Sequence, residues 1–405
     1  MRFTGTSISR FSQPDGAKVT EPETSPQRRV LHVIDSLGLG GAQVILKDYF
    51  ESRTPHGADH IYGLRTVDGA IEIRHPGAGV NASPSRFSVA PLRELRDIVR
   101  QWQIDILHCH LFRAQVFGFL AKALYFPRIV LIFHEHGRVV GREGEPWPES
   151  LAFRVFLRAA WPRVDQFVCI SDYTRACLLR IIPGADRRAI VVSNPIRLPR
   201  NRQSHEQVAA LRSELAIPVG SFCVGFAARL VERKGWRDFL LAMQSLASRL
   251  PVFFLLAGDG EDRQRAESAV RALGLADRGR MMGHFARMDR FFPALDCFVM
   301  PSLWEPHGLA HLEAQSYGIP VVVSDVPGLN ETVHAELDAL LFEAGNPSLL
   351  AGQVLRIATD ATLRSRLAQG GFANAAGYTM DSFASRLEQI YHDALASRAD
   401  AGRIH

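Results

Sequence analysis

Cysteine is scarce in this chain: five in 405 residues, at positions 109, 169, 177, 223 and 297, with no C-x-x-C pair. That excludes a disulfide scaffold or a zinc ribbon, and small buried thiols of this kind fit a reducing, cytoplasmic compartment. No apolar run approaches the ~18 residues that a membrane-crossing helix needs. Residues 1–27 carry Arg2 and Arg10 but no apolar segment, which excludes a secretory signal. They are rich in Ser, Thr, Pro and Gly without periodicity, and read as a disordered leader. The net charge is +5, and between Arg138 and Arg202 twelve arginines and no lysine stand against six acids. No nucleic-acid module or basic–aromatic alternation accompanies that excess. The partners it fits are a phosphorylated substrate or an anionic membrane surface at the inner face, or water around an ordinary solvated face.

At 405 residues, 47% hydrophobic and 22% charged, the chain suits a globular protein of two domains. β-Branched runs alternate with helical patterns throughout, which predicts an α/β protein with parallel sheets. The boundaries read as a first domain over 28–198, a polar linker over 199–207 and a second domain over 208–377. An amphipathic helix over 378–397 is marked by Phe383, Leu387, Ile390, Tyr391 and Leu395 with a cap near Asp381, and 398–405 is a tail.

Residues 301–325, PSLWEPHGLAHLEAQSYGIPVVVSD, carry the densest chemistry. A strand ends at Pro301, a loop bears Glu305 and Gly308, a helical pattern runs through Leu309, Leu312, Glu313 and Ser316, and Val321 opens the next strand. Helix N-termini attract anions, and glycine lets a ligand approach the backbone. Two carboxylates eight positions apart beside such a site suit a ligand that is phosphate in its middle and hydroxyl-rich at its ends. Upstream, Arg229 and Lys234-Gly235 follow the strand over 222–226 and precede a helix face of Trp236, Phe239, Leu240 and Met243. Two cations in such a loop are placed to clamp a diphosphate.

In the first domain, a glycine loop with Gly38, Gly40 and Gly41 follows a strand over 29–34. Gln43 stands where a dinucleotide fingerprint requires glycine, so a Rossmann dehydrogenase is disfavoured. His108 and His110 alternate with Cys109 on a strand over 104–110 and share its opposite face. No third ligand cluster is evident, so no metal site is assigned. His134 and His136 follow a strand over 129–133, where ligands collect in open α/β sheets. A loop over 143–150 covers an entrance, and a helix over 151–161 combines apolar residues with Arg154 and Arg158, the pattern of either a buried helix or one lying on a membrane.

Arg229, Lys234-Gly235, Glu305 and Glu313 together resemble the family 4 glycosyltransferases, and the likeness runs from about Arg29 to Tyr391. The resemblance implies a GT-B fold: two Rossmann-like parallel-sheet domains facing across a cleft, with the terminal helix crossing back to the first domain. It implies a retaining hexosyltransferase that moves a sugar from a nucleoside-diphosphate sugar to a hydroxyl of a glycan or lipid-linked acceptor, in cell-surface polysaccharide or glycoconjugate synthesis. No metal or cofactor is implied, the nucleotide sugar being a co-substrate. Arg229 and Lys234 would stabilise the leaving diphosphate, Glu305 would hold the sugar and Glu313 the ribose. Gly308 and Leu309 offer amides to the phosphates, and Gly258, His284 and Phe285 line the donor side. Gly40 and Gly41 lie near the donor phosphates. His134 matches the family histidine beside the transferred sugar, with His110 and His136 toward the acceptor. This sequence departs from the family at His307, where phenylalanine is usual, and at His311 and Gln315. The rivals are a sugar-nucleotide epimerase on the same fold and a binding protein without turnover.

Overall fold

The computed structural model describes residues 28–38, 40–52, 59–67, 70–75, 77–81, 85, 88–137, 147–199 and 203–403. The leader assigned to 1–27 and residues 143–146 of the expected loop lie outside them. The chain divides into two compact units, Met1–Val192 with Ala384–His405, and Ser193–Phe383.

The first unit holds β1 (Val30–Ser36), α1 (Gly41–Ser52), β2 (Asp59–Arg65), β3 (Ala78–Val80), α2 (Ala90–Trp102), β4 (Ile106–His110), α3 (Phe112–Leu124), β5 (Val130–Glu135), α4 (Trp147–Ala160), β6 (Gln166–Cys169), α5 (Asp172–Ile181) and β7 (Ala189–Val191). Its seven strands are parallel in the order β3-β2-β1-β4-β5-β6-β7. One sheet face buries Leu31, Val33, Leu107, Cys109, Leu131 and Phe133 against helices that contribute Leu95, Phe117 and Leu157. Buried on both faces, such strands read as continuous apolar runs, which is why β1, β4 and β5 are visible in the sequence.

The second unit holds α6 (His205–Glu214), β8 (Phe222–Ala227), α7 (Trp236–Ala247), β9 (Val252–Ala257), α8 (Arg263–Ala272), β10 (Gly279–Gly283), α9 (Met288–Phe291), β11 (Cys297–Met300), α10 (Ala310–Ser316), β12 (Val321–Ser324), β13 (Ala339–Phe342), α11 (Pro347–Thr359) and α12 (Ala361–Ala375). Its six parallel strands run β10-β9-β8-β11-β12-β13. The last helix, α13 (Met380–Arg403), packs its residues from Ala384 onward with the first unit. Arg398 donates to Asp165 at 2.6 Å, and Glu388 pairs with Arg28.

Several boundaries differ from expectation. The units part at Val192, not in 199–207. Residues 205–207 of that linker instead begin α6, whose N-cap Ser204 closes a reciprocal capping box with Gln207. The helix α4 opens at Trp147, inside the expected loop, and α13 continues to Arg403; its cap lies near Asp381, as expected, with Thr379 Oγ1 accepting from the Ser382 amide. The strand β5 runs two residues past Phe133, because His134 and Glu135 pair with β4 and β6. His136 therefore takes the strand-end position expected of His134.

Candidate active site

Both sheets reverse their strand order at one point, between β1 and β4 in the first unit and between β8 and β11 in the second. Neighbouring loops diverge there at the carboxyl ends of the strands and leave a crevice where ligands bind. Gly40, Gly41, His110, Arg229, Lys234, Glu305 and Gly308 lie at or after the strands that flank these two points, while His134, His136, Gly258, His284 and Phe285 lie at or after strands further out.

In the second unit, the loop after β8 and the loop after β11 are laced together. Gly235 has φ +70°, and a Cβ on it would lie 1.8 Å from the Pro301 carbonyl oxygen, so only glycine fits. The Leu303 amide donates to the Arg233 carbonyl at 2.8 Å. This lacing brings the half-buried Lys234 ammonium onto the buried Glu305 Oε2 as an ion pair. Ser302 Oγ donates to the same oxygen at 3.3 Å, and Arg233 Nη1 stands 4.0 Å from it. The Arg233 guanidinium lies 5.0 Å over the Trp304 ring and donates to the Trp304 carbonyl at 3.4 Å. Ser302, Arg233 and Trp304 were not anticipated. Their signal was adjacency to Lys234 and Glu305, which became meaningful only once β8 and β11 were neighbours. Arg229, also at the end of β8, is exposed and has no side-chain partner among the described residues.

Glu313 lies in the first turn of α10, whose N-cap Leu309 offers no side-chain cap to the opening amides. Gly308, with φ +79°, has Leu329 Cδ1, Met300 Cε and His311 Cε1 within 3.2 Å of where its Cβ would stand. Its missing side chain thus serves loop packing. The same holds for Gly258, with φ +146° and the Ala228 oxygen 1.8 Å from a Cβ. His284 is exposed, and Phe285 is half-buried against Phe291.

The departures at 307, 311 and 315 are buried and hydrogen-bonded. His307 Nδ1 donates to the Gly308 carbonyl at 2.6 Å, and burial lowers its pKa. Thr332 Oγ1 donates to the Leu329 carbonyl at 2.7 Å and therefore accepts from His311 Nε2, also 2.7 Å away. Burial brings the His311 pKa down to about 3. Gln315 Nε2 donates to the Asp338 carbonyl at 3.0 Å, and its Oε1 accepts from Asn374 at 3.0 Å.

In the first unit, Gly40 and Gly41 end the loop from β1 into α1. Nothing lies within 4 Å of a Cβ built on Gly41, so packing does not explain this glycine. Gln43 folds back and donates to the Ser36 carbonyl at 3.3 Å. Below that loop five histidines share one sheet face: His32 on β1, His108 and His110 on β4, His134 on β5 and His136 just beyond it. The strand register sets His32 level with His108 and His110 level with His134. The expectation of no further ligand cluster beside His108 and His110 is thus corrected. His32, His108 and His110 form one trio of ring nitrogens within 4.8 Å of one another, and His110, His134 and His136 form a second. The two closest contacts are hydrogen bonds by their geometry. His32 Nδ1 lies 3.0 Å from His110 Nε2, and His110 Nδ1 lies 3.0 Å from His136 Nε2. Both pairs have ring centroids 5.3 Å apart. Two imidazole radii account for the difference, so each nitrogen points straight at its partner instead of converging with it on a third point. Burial lowers the pKa of His108 and His110 well below the ordinary range and that of His136 to about 4, so these rings are neutral at pH 7.

The model of glycosyltransferase family 4 matches residues 40–200, and that of glycosyl transferases group 1 matches residues 207–373. A 2-deoxystreptamine N-acetyl-D-glucosaminyltransferase of Streptomyces fradiae is 30% identical over 77% of this chain and 75% of its own length. The chain belongs to glycosyltransferase family 4. A lipopolysaccharide core biosynthesis glycosyltransferase, LpsD of Rhizobium meliloti, is 29% identical over 57% of this glycosyltransferase and 62% of its own length. The Anabaena protein Alr3699/HepE, solved in complex with UDP, superposes with a TM-score of 0.78 at 19% identity, covering 90% of this chain and all of that one. The fold is GT-B, two Rossmann-like parallel-sheet domains. Membership of this family favours transfer of a glycosyl group from a nucleotide sugar over epimerisation or binding alone.

Proposed function

We propose that this glycosyltransferase moves a hexose from a nucleoside-diphosphate sugar to a hydroxyl of a glycan or lipid-linked acceptor, with retention at the anomeric carbon, in the synthesis of a cell-surface polysaccharide or glycoconjugate. The observation that carries the proposal is the pairing of Lys234 with Glu305 at the β8/β11 reversal, with the exposed Arg229 in the same loop after β8. That places positive charge for a diphosphate next to an acid that can hold sugar hydroxyls. A UDP sugar is the donor to try first, because the structural neighbour holds UDP.

In this reading the bond between the anomeric carbon and the β-phosphate oxygen breaks, and the acceptor oxygen bonds that carbon on the same face. The acceptor proton passes to the departing phosphate. Arg229 and Lys234 stabilise the charge that develops there, an electrostatic contribution of about 3 kcal/mol per donor group. Glu305 holds the transferred sugar and Glu313 the ribose. Gly308 and Leu309 present backbone to the phosphates. His307, Gly258, His284 and Phe285 shape the donor side, while Gly40, Gly41 and His136 face the sugar and acceptor, with the buried His134 and His110 supporting His136. The mechanism assigns no step to a metal or cofactor. The exposed side of α4, with Leu151, Val155, Arg154 and Arg158, is the surface we assign to peripheral contact with anionic lipid. Among the described residues no helix is long and apolar enough to cross a membrane.

The test is incubation with labelled UDP-glucose, UDP-galactose and UDP-N-acetylglucosamine, with and without EDTA, against a panel of glycan and lipid-linked acceptors. Transfer or slow hydrolysis, with an α product from an α donor, supports the proposal. Epimer formation without transfer, a β product, or abolition by EDTA would each contradict the corresponding part of it.

A further inference from the structure

The histidine row continues beyond its two collinear bonds. Tyr391 on α13 sets its hydroxyl 2.7 Å from His108 Nδ1 and 3.4 Å from His32 Nε2. The bonds therefore run in one line, His108–Tyr391–His32–His110–His136. Each neutral imidazole has one N–H, and His110 uses both nitrogens, so the direction of either bond fixes the other. The tyrosine hydroxyl likewise has one proton to give. The row can thus point only one of two ways as a unit.

The far end selects between them. His108 Nε2 is buried and has no hydrogen-bond partner. If the row pointed toward His108, that atom would carry an orphaned N–H deep in the unit. If it points away, the atom is a bare lone pair, the less costly omission, since buried N–H groups without partners are the rarest kind. His108 Nδ1 then donates to the Tyr391 oxygen, Tyr391 to His32 Nε2, His32 Nδ1 to His110 Nε2, and His110 Nδ1 to His136 Nε2. The last ring is left with its proton on Nδ1. His136 is half-buried, while the other four members are buried. It stacks on His134 with centroids 4.1 Å apart. Its Nδ1–H is the open end of the row, just past β5.

We infer that His110, at the head of this row, is a positioning residue that holds His136 in its Nδ1–H tautomer, as a fixed hydrogen-bond donor to a hydroxyl oxygen of the transferred sugar. The part concerning the sugar rests on the transfer reading above; the tautomer does not. The row gives α13 a role beyond packing, because its Tyr391 is the link that joins His108 to His32.

The experiment uses the full chain labelled with 15N-histidine, and reads the tautomer of each ring from two-bond 15N–1H correlations at pH 8. His136→Gln assigns the His136 signals. The expected result is a pyrrole-type Nδ1 and a pyridine-type Nε2 for His136. Tyr391→Phe and His32→Leu each end the row on a bare buried nitrogen, so the pattern should survive in both. His110→Asp, whose carboxylate accepts from His136 Nε2, should turn that nitrogen pyrrole-type and lower turnover about tenfold, with the donor KM changed less than twofold. His110→Asn, whose amide nitrogen replaces the Nδ1 donor, should restore both. An Nε2–H tautomer in the wild type, or a pyridine-type His136 Nε2 in His110→Asp, overturns the inference. A changed tautomer with unchanged turnover overturns the positioning role. If the wild type transfers no sugar, the proposed function fails, and the tautomer still decides whether the row is polarised.

Discussion

Lys234 and Glu305 stand 71 positions apart in the chain and share one partly buried ion pair. The pair exists because β8 and β11 are neighbours in the sheet, and because Gly235 lets their following loops touch. The same contact serves stability and chemistry, and the two can be separated. Lys234→Ala leaves the buried Glu305 carboxylate with only Arg233, 4.0 Å away, so unfolding free energy should fall, by at most the about 3–5 kcal/mol of a fully buried pair. Transfer should drop about a hundredfold or more. Adding Glu305→Gln to Lys234→Ala removes the orphaned charge, and should recover most of the stability and none of the transfer. Denaturant unfolding and a transfer assay on the two single variants and the double variant check this. A double variant as unstable as Lys234→Ala would show that the pair is not what holds the two loops.

Arg229 offers the opposite case. It is exposed and lacks a side-chain partner among the described residues, so Arg229→Ala should leave stability within about 0.5 kcal/mol of the wild type. Its turnover should nevertheless fall about a hundredfold, with Arg229→Lys recovering only part of it, because a point charge does not replace a forked contact. Stability and turnover measured on the same samples decide it; near-normal turnover in Arg229→Ala would remove Arg229 from the diphosphate clamp.

Much of this architecture was legible in the sequence, and the reasons for the rest are specific. The strands β8, β9, β11 and β12 announce themselves as short apolar runs because both their faces are covered. β2 does not, since DHIYGLR carries a buried Asp59 and His60, and Asp59 accepts from the Tyr49 hydroxyl at 2.6 Å. The end of β5 was hidden for the same reason: His134 and Glu135 are polar, yet His134 pairs with both β4 and β6 and Glu135 with β6. Glu305, Lys234 and Arg229 were readable as chemistry, but their mutual placement was not, because it depends on which strands become neighbours. The histidine row shows this most plainly. Alternation put His108 and His110 on one face, and only the register of β1, β4 and β5 adds His32, His134 and His136. The linker was misplaced although Ser204-x-x-Gln207, a capping signature, was in plain view.

Three glycines in the candidate site answer to different constraints, and substitution should tell them apart. A Cβ at Gly235 or Gly258 would lie 1.8 Å from a backbone oxygen, at Pro301 and Ala228 respectively, and both positions have positive φ. Gly235→Ala and Gly258→Ala should therefore destabilise the second unit by several kcal/mol, since left-handed backbone alone costs an alanine about 1–2 kcal/mol. Gly41→Ala meets nothing within 4 Å and should leave stability unchanged, or raise it slightly at the start of α1. If Gly41 is bare for a ligand's sake, that variant should weaken donor binding about tenfold in a titration with UDP-glucose. Unaltered binding would return Gly41 to an ordinary helix start.

The buried histidines also set how this protein responds to acid. In the folded chain His311 is fully buried and its pKa is brought down to about 3, chiefly by loss of hydration, while burial lowers His307 and His136 in the same direction. In the unfolded chain each ring returns to an ordinary value near 6.5. Below that pH the unfolded state takes up protons that the native state refuses, so stability is complete above about pH 6.5 and declines as the pH falls toward 3. For His311 alone the loss at pH 5 is about 2 kcal/mol. His311→Gln keeps an N–H for Thr332 and cannot titrate, so it should reduce the slope of stability against pH between 6.5 and 4 while changing stability little at pH 8. Urea midpoints measured from pH 8 to pH 4.5 on both proteins report that slope. A slope unaltered by His311→Gln would mean that this ring does not sit neutral and buried beside the donor loop.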